Sequence, residues 1–167
     1  MKKYLFFFIF AFSLLNSCTV KESTTYYLIR HAEKERTDKT NRNPNLNLNG
    51  ERRAQNWADY FEEIHLDAVY STSYNRTMQT ATPTSKIKKL ELQNYNPNKM
   101  YDSIFRSDTQ GKTILIVGHS NTTPDFVNKI LGEKKYDNMR DNDNASLYIV
   151  TVTGDKKTSR IEKVEQH

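Results

Sequence analysis

The chain has 167 residues, and its 25 Lys and Arg against 20 Asp and Glu give a formal charge of +5, or +3 without Lys2 and Lys3 of the leader. So small and scattered an excess excludes the dense basic face of a nucleic-acid binder, and a single Cys excludes an internal disulfide or a multi-cysteine zinc cluster. The glycines stand at positions 50, 111, 118, 132 and 154, from which neither G-x-G-x-x-G nor a Walker loop can be assembled, so no nucleotide cofactor is expected. Residues 1–17 open with Met1-Lys2-Lys3 and continue as an apolar run over residues 4–15. Twelve residues fall short of the ~20 that cross a bilayer, and the run has no polar face for a core helix. A secretory signal is expected.

Leu15-Asn16-Ser17-Cys18 resembles the lipobox of bacterial lipoproteins, which implies cleavage before an acylated Cys18. A lone thiol sent to an oxidising compartment would otherwise be odd. The expected organisation is a signal over residues 1–17, a lipidated Cys18 with a tether to residue 25, and one domain over residues 26–167. The protein is expected to be exported and held on a bacterial envelope membrane by its acyl chains.

In chain order, residues 25–29 are a continuous apolar run fit for a buried strand. Residues 37–49 are an Asn-rich polar loop. Residues 50–64 carry Ala54, Trp57, Ala58, Phe61 and Ile64 at three- and four-residue steps, an amphipathic helix capped near Asn49. A short strand follows at 67–71, then a helix over 74–89 that Pro83 breaks or restarts. Residues 90–93 read as a strand, 98–105 as a short helix, and 113–117 as the strongest strand of the chain. A helix over 123–131 ends at Gly132, and strands at 145–152 and 160–164 close the domain. This alternation predicts an α/β three-layer sandwich, a mostly parallel central sheet with helices on both faces. Ligands of such sheets bind at the carboxyl ends of strands.

Two strands run into histidine at that edge: one into Arg30-His31, the other into Gly118-His119-Ser120. Between them, Arg76 follows a short strand at the opening of a helix, a place suited to an anion. Guanidinium forks match phosphate oxygens in pairs, so Arg30, Arg76, His119 and Ser120 are candidate phosphate ligands around His31. His65 and His167 read as solvated.

In this arrangement the chain resembles the histidine phosphatase superfamily, in its phosphoglycerate-mutase-like branch. The resemblance rests on Arg30-His31-Ala32-Glu33-Lys34 (Ala where the family has Gly), the turn Leu46-Asn47-Leu48-Asn49-Gly50, and Ser71 or Thr72 through Arg76, Thr80 and Ala81. Gly118-His119-Ser120 and Asn144-Ala145-Ser146 complete it. It implies a phosphoglycerate-mutase-like fold and a metal-independent phosphatase in which His31 attacks phosphorus while Arg30, Arg76 and His119 stabilise the transition state. Family members acting on alcohol esters carry a carboxylic acid for the leaving oxygen. Here Glu91, Glu33, Asp102 and Asp125 are the candidates, with helix-dipole complementation the ordinary role for Asp125. Fewer than twenty residues separate Gln93 from Thr113, so the large cap of mutases is not expected and the pocket should be open, as in the short bacterial phosphohistidine phosphatases. The expected function is an envelope phosphohydrolase, a phosphomonoesterase or a phosphohistidine or phosphoanhydride phosphatase, acting through a covalent phosphohistidine on a small phosphorylated substrate or a phosphoprotein. Its rivals are a catalytically feeble phospho-ligand or partner-binding lipoprotein of the same fold, and a mutase-type phosphotransferase.

Overall fold

The computed structural model describes residues 22–165; the signal, Cys18 and most of the tether lie outside them. Six strands form one sheet in the order β3-β2-β4-β1-β5-β6. They are β1 (Ser23–Arg30), β2 (Ala68–Ser71), β3 (Leu92–Asn94), β4 (Thr113–Gly118), β5 (Ser146–Thr153) and β6 (Lys156–Lys163). The four strands from β3 to β1 are parallel, while β5 and β6 add antiparallel at one side. The sheet is therefore mixed, parallel where it carries the candidate residues. The antiparallel pairing of β5 follows from a loop, not a crossover to the same end, leading out of the last helix.

Alternate side chains of each strand enter opposite layers. Leu28, Ile114 and Ile116 pack with Phe126, Val127 and Ile130 of α4 (Thr122–Leu131). Ile29, Val69, Leu115 and Val117 pack with Trp57 and Phe61 of α1 (Leu48–Phe61) and Ala81 of α2 (Asn75–Lys88). Helices thus cover both faces, giving the three-layer α/β sandwich expected.

Several local readings are corrected. The α1 cap is Asn47, two residues before the expected place: its backbone is extended and its side chain accepts the Gly50 N–H at 2.9 Å. Pro83 neither breaks nor restarts α2, which continues through it because buried Thr80, Ala81, Thr84 and Ser85 hold that face on the core. The helix expected over 98–105 is two pieces, a 3₁₀ turn (Pro97–Lys99) and α3 (Ser103–Thr109). Tyr101 between them takes a left-handed φ of 57° that no continuous helix accommodates. These short pieces are all that lies between β3 and β4, so there is no cap domain. Among the described residues no helix is long and apolar enough to cross a membrane.

Candidate active site

The carboxyl ends of β2, β4 and β1 are neighbours, with Ser71 beside Val117 and Arg30 beside Gly118. Arg30-His31, Thr72 to Arg76 and His119-Ser120 therefore leave the sheet at one edge. Of these, Arg30, His31, Arg76, His119 and Ser120 line a cavity of about 360 Å3 together with Lys34, Tyr74, Pro97, Asn121, Thr122 and Asp141.

His31 is 4% exposed. Its Nδ1 lies 2.7 Å from the Ala32 carbonyl oxygen, which can only accept, so Nδ1 carries the proton and Nε2 keeps its lone pair. Burial pushes its pKa down to about 3; the bond to Ala32 opposes this, while Arg30, His119 and Arg76 add to it. The loop is pinned on three sides. The Ala32 N–H donates to Thr80 Oγ1 at 2.9 Å, Asn144 Nδ2 donates to the His31 carbonyl at 2.8 Å, and Gly50 admits the Glu33 carbonyl so closely that a Cβ there would lie 2.0 Å from its oxygen.

The His119 ring centroid stands 5.5 Å from that of His31. Its Nε2 is 2.9 Å from Thr72 Oγ1, which is 2.9 Å from Thr77 Oγ1, and the Thr77 hydroxyl has carbonyl oxygens of Thr72 and Tyr74 at 2.9 and 2.8 Å. Thr77 spends its proton on a carbonyl, so Thr72 donates to Thr77 and accepts from His119 Nε2–H. The Nδ1 lone pair then faces Arg76 Nη2 at 3.4 Å. Burial first, then Arg76, Arg30 and Lys34, push His119 down to about 4.

Arg76 lies over the Tyr74 ring at 4.4 Å, a cation–π contact, and Tyr74 meets the His119 ring edge-on at 5.1 Å. Arg30, 3% exposed, donates Nη1 to the carbonyls of Arg140, Asp141 and Asp143 and Nη2 to the Asp141 carboxylate at 3.0 Å. Even so, Arg30 Nε and Arg76 Nε and Nη1 are buried N–H groups without a partner. An unpaired buried donor is costly, and two arginines that line one cavity with His31 and His119 give it the positive lining that suits a tetrahedral oxyanion.

The acid candidates are dispersed. Glu33 is clamped by Arg53, whose Nε reaches both carboxylate oxygens at 2.8 and 2.9 Å. Glu91 precedes β3, at the opposite edge of the sheet from the cavity, because β3 runs parallel to β2. Asp125 lies on α4 outside the cavity, 3.8 Å from Lys129, and Asp102 caps α3 by accepting the Phe105 N–H. The carboxylate that does line the cavity, Asp141, is one the sequence reading missed. Arg36 and Arg30 hold its pKa below the usual range. The motif reading left Ser71 or Thr72 open; it is the Thr72 hydroxyl that meets His119, whereas Ser71 Oγ is buried without a partner. Among the described residues no three of His, Cys, Asp and Glu gather as a metal would need.

Residues 26–96, which include His31 and Arg76 of this pocket, match the model of the histidine phosphatase superfamily (branch 1). Over most of its length the chain shares the fold of solved structures at low sequence identity. The SixA protein of Agrobacterium tumefaciens is 18% identical with a TM-score of 0.61, over 85% of this chain and 99% of that one. A phosphoglycerate mutase from Bacillus anthracis is 14% identical with a TM-score of 0.64, over 87% of this chain and 94% of that one. The protein histidine phosphatase SixA complexed with tungstate is 12% identical with a TM-score of 0.64, over 83% and 96%. At these identities the likeness concerns the fold. No curated protein matches the chain by sequence.

Proposed function

We propose that the protein is a phosphohydrolase that passes the phosphoryl group through His31. The observation carrying this reading is the conjunction of a buried imidazole, Nδ1–H tied to a carbonyl and Nε2 unprotonated, with Arg30, Arg76 and His119 lining the same cavity. In the first step the Nε2 lone pair attacks phosphorus, the bond to the leaving atom breaks, and that atom takes the electron pair. In the second, water attacks the phosphohistidine, the electron pair returns to Nε2, and orthophosphate leaves. Arg30 and Arg76 offset the charge of the equatorial oxygens. The dianion offsets the burial and the cations that hold His119 neutral, so the ring takes a proton from solvent on Nδ1, and that N–H hydrogen-bonds a phosphoryl oxygen while Nε2–H stays on Thr72.

With Glu33 held by Arg53 and the other candidates elsewhere, the leaving group departs without a carboxylic acid. This favours groups stable as they leave. The uncapped pocket disfavours a mutase, which shelters its intermediate from water. The SixA phosphatase of the same fold is complexed with tungstate, and the same oxyanion is expected to compete with substrate here. We also propose that acylated Cys18 anchors the enzyme at the envelope, where Cys18→Ser would shift it from the membrane to the soluble fraction.

The test is turnover of 4-nitrophenyl phosphate by wild type and His31→Ala. Loss of more than ~10³-fold is expected, in the range seen when a covalent nucleophile is removed, with alkyl phosphates turned over far more slowly than the aryl ester by wild type. Retained activity in His31→Ala would remove the covalent mechanism, and equal rates on alkyl and aryl esters would mean an acid has been overlooked.

A further inference from the structure

Lys34 is not needed by the phosphoryl chemistry above, yet it lines the 360 Å3 cavity and also an adjoining one of about 450 Å3 that holds Arg36, Glu33, Glu35, Asn47 and Asn144. The two cavities share Arg30, His31 and Lys34, so this lysine stands at the seam where the transferred group meets whatever is attached to it. Its side chain is half-buried, and among the described residues its ammonium makes no hydrogen bond or ion pair. Burial and then the cations Arg76 and Arg36 weigh against its charge, and only Asp141 favours it. Four cations (Arg30, Lys34, Arg36 and Arg76) thus surround the seam. Asp141 answers them directly, since Glu33 is committed to Arg53 and Glu35 is exposed on the outer rim. A phosphoryl dianion leaves part of this positive charge unanswered.

The second observation is chemical. Among the described residues, Asp141, the carboxylate of the smaller cavity, is held ionised between two guanidinium groups, and Glu33 of the adjoining one is clamped by Arg53, so neither is free to protonate a leaving oxygen. An unpaired cation and a missing acid ask for the same thing: a leaving group that is already an oxyanion. We propose that the substrate is a phosphoric anhydride, the terminal phosphate of a diphosphate, and that Lys34 binds the leaving phosphate. The proposal rests on the phosphohydrolase reading and refines it. His31 Nε2 attacks the terminal phosphorus, the bridging P–O bond breaks, and its electron pair goes to the leaving phosphate, whose new charge Lys34 compensates without a proton transfer. Water then releases the second phosphate from His31, so one diphosphate and one water yield two phosphates. Cation pairing to a departing phosphate replaces acid catalysis.

The experiment compares kcat/KM for inorganic pyrophosphate with that for 4-nitrophenyl phosphate, in chelator-treated buffer so that the polyanion is uncomplexed. Both leaving groups depart without an acid, but the nitrophenolate carries its charge away from the reacting oxygen. The proposal expects wild type to hydrolyse both. The pyrophosphate-to-aryl ratio should fall at least tenfold in Lys34→Gln and recover to within about threefold in Lys34→Arg. An unchanged ratio in Lys34→Gln, or wild-type turnover of the aryl ester alone, overturns the assignment of Lys34 and leaves the phosphohydrolase standing. Turnover of neither substrate brings down the phosphohydrolase reading itself.

Discussion

Thr72→Val isolates the part of the pocket that acts on His119 through its hydroxyl pair. Valine keeps the shape of a side chain that is 1% exposed and removes only the oxygen lying 2.9 Å from His119 Nε2 and 2.9 Å from Thr77 Oγ1. In the free enzyme His119 is neutral, its pKa near 4, so the lost bond is an ordinary one of about 1 kcal/mol. When the phosphoryl dianion draws a proton onto the ring, the same Nε2–H becomes a charge-assisted donor worth about 1.5–3 kcal/mol. The difference, about 0.5–2 kcal/mol, is felt in the transition state and not in the free enzyme, which corresponds to a fall in kcat of roughly 2- to 30-fold, centred near tenfold. The assay is 4-nitrophenyl phosphate turnover in a double-mutant cycle with His119→Ala. A tenfold loss is expected when His119 is present, less than a twofold loss when it is absent, and near-complete recovery in Thr72→Ser. An equal loss in both backgrounds would refute the reasoning, since Thr72 would then act by packing or on another group.

Two further outcomes concern stability. Gly50→Ala should destabilise the fold by roughly 1–2 kcal/mol in denaturant titration, because the new Cβ lies 2.0 Å from the Glu33 oxygen; overpacking outweighs the ~1 kcal/mol an alanine gains in helix propensity. Stabilisation, as at an exposed helical glycine, would mean the His31 loop is not pressed on α1. Acid should weaken the anion-free protein well before its carboxylates titrate. Both imidazoles have folded pKa values below the ordinary 6.5, near 3 for His31 and 4 for His119. Below pH 6.5 the unfolded chain therefore binds protons that the folded one refuses, and stability falls as pH falls, down to those folded values. From pH 7 to pH 5 the loss is roughly 2 kcal/mol for each of the two. Equal unfolding free energies at the two pH values would show that the imidazoles are not held neutral.

Most of the fold was legible because its strands are buried on both sides. The runs at 25–29 and 113–117 are continuous and apolar, and they lie as paired strands in the middle of the sheet. The edges were less legible. β6 begins at Lys156, four residues before the expected start, because an outer strand with polar residues on both faces leaves no hydrophobic period to read. In the pocket, the residues at strand ends announced themselves by position: His31, Arg30, His119 and Arg76. Asp141 and the carbonyls that grip Arg30 come from the polar stretch 138–144, which has no period and becomes meaningful only when the chain returns to β1. Lys34 is illegible in the same way, since a lysine in a polar loop is ordinarily solvated and nothing in its spacing announces the two cavities it joins. The acid search failed for a related reason. Spacing identifies carboxylates near the motifs but not their partners, and Arg53 reaches Glu33 from α1, twenty residues along the chain.

The proposed mechanism turns on a phosphorus–nitrogen bond to one imidazole. The direct measurement is to quench the enzyme with base during turnover of labelled pyrophosphate or aryl phosphate and map the label by mass spectrometry. An acid-labile, base-stable phosphoryl group is predicted on His31 of wild type and is expected to be missing from His31→Ala. Turnover with no label on the protein, or label on His119 instead, would contradict it.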